Sequence, residues 1–127
     1  MARPTILLVD DDPVFVDAMT AVLSKRYNTR SAADGEEAMS SLIEHRPDLI
    51  LLDVMLTYPS EGYDLAATLK KDPETAGIPI IMLTGVNRVF EIRSRLEKGW
   101  VDVEGFHTKP PDFGKLFETI DKHVHRP

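Results

Sequence analysis

One alternation, repeated from end to end, limits what this chain can fold into. A short run of apolar residues is followed by a stretch in which apolar residues recur at helical spacing. Thr5–Val9, Leu49–Asp53 and 78–84 are the strong apolar runs, the last interrupted only by Pro79. They have strand length and too little alternation for a sheet with one wet face, which predicts strands buried on both faces. Asn28–Ala32 is a weaker, polar candidate suited to a sheet edge, and 105–108 is a short final one. Between the runs, Val14, Phe15, Ala18, Met19, Val22 and Leu23 form a stripe reaching about Lys25. Ala38, Met39, Leu42 and Ile43 form a second, stopped by Pro47. Leu65, Ala66 and Leu69 form a third, ending near Asp72-Pro73. Val89, Ile92 and Leu96 mark a fourth helix over about 88–98, and Phe113, Leu116, Phe117, Ile120 and Val124 a closing one. Asp12-Pro13 reads as an N-cap followed by proline at the first helical position, and Asp34 with Glu37 has capping-box spacing. Five strand-then-helix repeats predict an α/β fold: a parallel sheet with helices on both faces, where right-handed crossovers place them.

Composition narrows the class. The 127 residues suit one domain spanning 1–127, with no linker and no room for an output domain. No cysteine is present, which excludes a disulfide scaffold, thiolate zinc sites and thiol catalysis. Acidic residues outnumber basic ones 21 to 15, for a formal charge of −6. That argues against nucleic acid or an acidic membrane as the main partner, since both need a basic patch. The apolar runs are far too short to span a bilayer, and the N-terminus enters a strand without a signal-peptide core. The expectation is a soluble, cytoplasmic domain.

In an open parallel sheet, ligands bind beyond the carboxyl ends of the strands. The first strand ends in Asp10-Asp11-Asp12, the third in Asp53, the fourth in Thr84-Gly85 and the fifth in Thr108-Lys109-Pro110. Each residue has an ordinary reading: Asp12 as a cap, Asp10 and Asp11 as a solvated loop, Asp53 as a turn residue, Thr84 as a cap, Lys109 as a surface charge. Together at four strand ends they make a coherent set. Clustered carboxylates repel and call for a hard divalent cation, and Mg²⁺ favours a few carboxylates with water and phosphate oxygens. A lysine and a hydroxyl opposite would complete a phosphoryl cradle, and a carboxylate within it could act as nucleophile.

At this point the residues match a family. Ile6-Leu7-Leu8-Val9-Asp10-Asp11, Leu49-Ile50-Leu51-Leu52-Asp53-Val54-Met55-Leu56, Ile78-Pro79-Ile80-Ile81-Met82-Leu83-Thr84-Gly85 and Phe106-His107-Thr108-Lys109-Pro110 stand in the right order and cover essentially the whole chain. The chain resembles the receiver domain of two-component response regulators, the CheY-like superfamily. The resemblance implies a (βα)5 flavodoxin-like three-layer sandwich with strand order 2-1-3-4-5. It implies that Asp53 accepts a phosphoryl group from a sensor histidine kinase or phosphotransfer protein. Asp11 would ligate Mg²⁺ directly, with Asp53, the backbone carbonyl of Met55, and Asp10 through water. Lys109 would pair with phosphoryl oxygens ahead of a cis bond to Pro110, Thr84 would move to the phosphoryl group, and small Gly85 would leave the site open. Phe106 would be the aromatic that swings inward, changing the surface of the fourth helix, fifth strand and closing helix for a downstream protein or output domain. Such a domain catalyses at most its own phosphorylation and dephosphorylation.

Two stretches depart from the family pattern. Thr57 stands where proline is usual, and Pro59 and Gly62 come late, so the loop over 57–61 is one residue longer. Over 99–105 the chain reads Gly-Trp-Val-Asp-Val-Glu-Gly, and Phe106 arrives about three residues late. Trp100 there either covers a helix end or marks an altered partner surface. Met55 and Val86, two residues beyond Asp53 and Thr84, are apolar and cannot orient water. They imply a long-lived phosphorylated form, which faster phosphate loss in Met55→Asn would bear out. The competing reading is a Mg²⁺-dependent phosphohydrolase of the haloacid dehalogenase type, using Asp10 and Asp12. It lacks the later paired acidic motif, because Asp112, Glu118 and Asp121 fall on or at the start of the closing helix, and it leaves Asp53 without a role. A nucleotide-binding domain would need a glycine-rich phosphate loop, which is absent.

Overall fold

The computed structural model describes residues 3–54, 61–85 and 103–124. In chain order these form β1 (Thr5–Val9), α1 (Pro13–Leu23), β2 (Asn28–Ala32), α2 (Gly35–Glu44), β3 (Leu49–Asp53), α3 (Glu61–Lys71), β4 (Ile80–Gly85), β5 (Gly105–Lys109) and a closing helix, α4 (Phe113–Val124). All strand pairs are parallel and the sheet order is β2-β1-β3-β4-β5. The polar run Asn28–Ala32 takes one edge. β3, apolar but for its terminal Asp53, takes the centre, where every residue is buried. The expected fourth helix over 88–98, Trp100, Met55 and most of the long loop at 57–61 lie outside the described residues.

Side chains two apart on a strand share a face, so each strand divides between two cores. Leu7, Val9, Ile50, Leu52, Ile80 and Met82 pack with Ala38 of α2 and Leu65, Ala66 and Leu69 of α3. Ile6, Leu8, Leu49, Leu51, Ile81 and Leu83 pack on the opposite face with Met19 and Leu23 of α1 and Leu116 and Ile120 of α4. The result is the three-layer sandwich the alternation predicts. Truncating a fully buried leucine such as Leu51 to alanine would cost about 2–5 kcal/mol.

Local signals set the boundaries. Asp12 Oδ1 accepts from the backbone N–H of Val14 at 3.0 Å and of Phe15 at 3.4 Å, capping α1 as its sequence foretells. Asp34 Oδ1 accepts from Glu37 N, but the return arm of the box goes to Ala33 N rather than to the cap itself. Two ends differ from the periodicity. Helix α1 stops at Leu23, where the Ser24 and Tyr27 amides turn back onto Thr20 and Leu23 carbonyls. Strand β4 starts at Ile80, because Pro79 has no N–H and offers only its carbonyl, to Ile50 N at 2.9 Å. No helix among the described residues is long and apolar enough to cross a membrane.

Candidate functional site

The sheet delivers the expected side chains to one rim. Asp10, directly after β1, is held by Ala32 O through its amide, and its Oδ1 accepts from Asp12 N at 2.9 Å. That leaves Oδ2 pointing into the site, fully buried and without a well-directed hydrogen bond. Asp53 ends β3 and is 5% exposed, Thr84 lies near the end of β4 at 2%, and Asp11 is exposed. Carboxylate oxygens of Asp10, Asp11 and Asp53 all lie within 4.8 Å of one another. The Lys109 ammonium, at the end of β5, sits 2.8 Å from Asp10 Oδ2 and donates to Asp53 Oδ2 at 3.2 Å. Asp10 Oδ2 is thus met by the ammonium as an ion pair. The Lys109–Pro110 bond is cis.

Among the described residues three carboxylates face one ammonium, a formal charge of −3 + 1 = −2 for these groups. Two unit charges 4.8 Å apart repel by roughly 3–4 kcal/mol at an effective dielectric of about 20. Burial alone would lower the Lys109 pKa, but Asp10 and Asp53 beside it carry it above the ordinary lysine value. The surplus of hard oxygen donors over that one cation is the chemistry that suits Mg²⁺.

The remaining sequence candidates fall as follows. Asp12 is spent on capping α1 and is not in the carboxylate cluster, so Asp10 and Asp12 do not form the pair a hydrolase would need. Thr84 Oγ1 donates to Gly85 O at 3.4 Å, and in register Thr84 lies one rung past the Asp53–Leu83 pair. Among the described residues a β-carbon built on Gly85 meets nothing within 4 Å. Phe106 pairs with Met82 and packs on the α2/α3 core. The Met55 carbonyl lies outside the described residues.

Three contacts had no signal in the residue pattern. The Gly62 amide donates to Val54 O at 3.0 Å, and a β-carbon on Gly62 would come within 2.2 Å of Asp53 O. Glu61 Oε2 accepts from Gly35 N at 2.8 Å, joining the start of α3 to the start of α2. Far below the rim, Lys70 Nζ bonds both Glu104 oxygens at 2.8 and 3.0 Å, and Glu104 Oε1 also accepts from Ile80 N at 2.7 Å. Glu104 belongs to the stretch that departs from the family pattern.

Residues 6–121 match the response regulator receiver domain, and the chain belongs to that family of two-component, phosphorylation-dependent signalling switches. Among curated relatives it is 30% identical over 118 residues to the DNA-binding dual master transcriptional regulator RpaA of Synechocystis, covering 92% of this chain and 47% of that protein. It is 39% identical over 98 residues to the DNA-binding response regulator MtrA of Mycolicibacterium smegmatis, covering 76% and 41%. The chain thus spans under half the length of these relatives. Among solved structures, a response regulator from Chloroflexus aurantiacus matches with a TM-score of 0.84 at 30% identity, covering 98% of this chain and 99% of that one. A probable cyclic di-GMP phosphodiesterase of Vibrio cholerae is 34% identical, but the match takes in only 27% of its length. The family is one of signalling switches, and the hydrolase reading finds no support.

Proposed function

We propose that the chain works as a single receiver domain over 1–127 in which Asp53 is the phosphoacceptor. One observation carries this reading: Asp53 is buried at the end of the central strand, with the Lys109 ammonium at 3.2 Å and the Asp10 and Asp11 carboxylates within 4.8 Å. An Asp53 oxygen forms the new P–O bond as the P–N bond of a phosphohistidine donor breaks. The electron pair of that bond stays on the imidazole nitrogen, which takes up a proton. Lys109 already touches the attacking carboxylate and would follow charge onto the phosphoryl oxygens. Asp10, Asp11, Asp53 and the Met55 carbonyl would hold Mg²⁺, which supplies charge neutralisation for the transferring group.

Phosphorylation adds about 1.5–2 negative charges and three acceptor oxygens. Thr84, whose hydroxyl makes a long bond to its neighbour's carbonyl among the described residues, would re-aim. Phe106 on the adjacent strand would transmit the change to the surface of the fourth helix expected over about 88–98, β5 and the closing helix α4. The chain itself catalyses at most its own phosphorylation and dephosphorylation. A sensor histidine kinase or phosphotransfer protein would act upstream in the cytoplasm, and a protein or output domain downstream, with no direct nucleic-acid contact by this domain.

Incubation with Mg²⁺ and phosphoramidate, read by intact mass, tests the proposal. A single phosphoryl adduct that disappears in Asp53→Asn is expected. Continuous turnover that survives Asp53→Asn and needs Asp10 would overturn it.

A further inference from the structure

Lys109 has a third neighbour that a phosphoryl cradle does not require. Its ammonium lies 4.4 Å from the centroid of the Phe15 ring, on α1. Phe15 is half-buried and touches the α1/α4 core only in part, so the ring is shared between packing and the rim. We propose that Phe15 is a positioning residue for phosphoryl transfer to Asp53, its ring face holding the Lys109 ammonium between the Asp10 and Asp53 carboxylates. This rests on the reading of Asp53 as acceptor.

The geometry explains why such a hold matters. An ammonium has three N–H donors on a flexible stem. One goes to Asp53 at 3.2 Å, and the charge lies nearer still to Asp10, at 2.8 Å. Left to those two carboxylates, the ammonium has every reason to settle on Asp10, away from the oxygen that must attack phosphorus. The electron-rich ring face supplies an attraction from a third direction. It keeps the ammonium available to phosphoryl oxygens as charge develops on them.

The backbone that carries the ring is tied to the acidic triplet. Asp10 Oδ1 accepts from Asp12 N, and Asp12 Oδ1 accepts from Phe15 N at 3.4 Å. A closed circuit therefore runs from Asp10 through the cap of α1 to the Phe15 ring, across to Lys109, and back to Asp10. Asp12, outside the carboxylate cluster, acquires a part in the site by capping the turn that carries the ring.

The test separates ring electrostatics from ring packing. Phenylalanine with one, two or three ring fluorines, introduced at position 15 alone, weakens the quadrupole with little change in shape. The rate of Asp53 phosphorylation by phosphoramidate at saturating Mg²⁺ should fall stepwise along the series. The total fall should be about five- to tenfold, the scale of one partly desolvated cation–π contact. Phe15→Leu, which keeps apolar volume, should match the trifluoro protein, and Phe15→Trp should restore the parent rate. In parallel, the Lys109 Cε proton resonances should be ring-current shifted in the parent and not in Phe15→Leu. A flat fluorine series on a protein whose parent forms the Asp53 adduct would overturn this proposal alone. A parent with no Asp53 adduct would overturn the acceptor reading and this proposal with it.

Discussion

Gly62 is seated on the backbone of Asp53: a β-carbon at position 62 would lie 2.2 Å from the Asp53 carbonyl oxygen and 2.5 Å from that of Val54. The first turn of α3 thus rests directly on the strand end that presents the proposed phosphoacceptor. The demand is for space rather than for an unusual backbone, since the atoms in the way are main chain and cannot swing aside. Gly62→Ala should therefore lower stability by at least about 1–3 kcal/mol, the scale of core overpacking. It should also slow phosphorylation by moving the end of β3. Unchanged melting together with an unchanged phosphorylation rate would show that α3 is not fixed to β3 in this way.

The carboxylate cluster predicts a metal-dependent stability. Mg²⁺ bound only by the folded chain should raise the melting temperature, by about 1.4 kcal/mol of stability at ten times its dissociation constant. Asp11→Asn should weaken that shift without unfolding the domain, because Asp11 is exposed while Asp10 and Asp53 are buried. Calorimetric scans with and without millimolar Mg²⁺ decide the matter, and no shift in the parent would count against the site.

Lys70 and Glu104 should matter to stability and not to phosphorylation. Glu104 bridges the Lys70 ammonium and the Ile80 amide, so it ties the C-terminal end of α3 to the starts of β4 and β5. Glu104→Ala leaves a mostly buried ammonium and an amide at the start of β4 without that partner, for an expected loss of about 1–3 kcal/mol. The double variant Lys70→Met with Glu104→Leu should recover part of it. A Glu104→Ala protein that melts with the parent would show the network to be idle.

His107 should make the fold less stable in mild acid. Its ring, bonded to Thr119 at 2.9 Å, is pushed below the ordinary pKa of 6.5, first by burial. Asp112 pulls it partly back and Lys115 pushes it further down. Between the folded value and 6.5 the unfolded chain binds more protons, so stability rises with pH through that window and is lost as pH falls. Urea midpoints at pH 7 and pH 5 should differ less for His107→Gln than for the parent. Equal differences would exclude His107 as a contributor.

Much of this molecule was legible in the residue pattern because its signals were local and redundant. β3 reads as a central strand since Leu49–Leu52 leaves no wet face, and α1 announces its start with Asp12-Pro13. The rim followed from the same reading, because strand ends in a parallel sheet converge whatever the loops do. What escaped were contacts that join residues distant in sequence. Nothing around Glu104 points to Lys70, 34 residues earlier, and nothing in the spacing of Phe15 separates a core ring from one turned toward Lys109. Boundaries slipped where backbone chemistry outranked periodicity, as at Pro79.

The strands that carry Asp53 and Lys109 are not equally anchored. Every residue of β3 is buried and both its edges are paired, whereas no residue of β5 is fully buried and, among the described residues, it pairs with β4 alone. The two behave as a fixed jaw and a loose one closing on the same object. A load placed on the fixed jaw deforms little there, so displacement is expressed in the loose jaw, and β5 would be where the domain yields when Asp53 changes charge. Amide exchange would register the difference directly: β3 should open only with the whole domain, and β5 well before it.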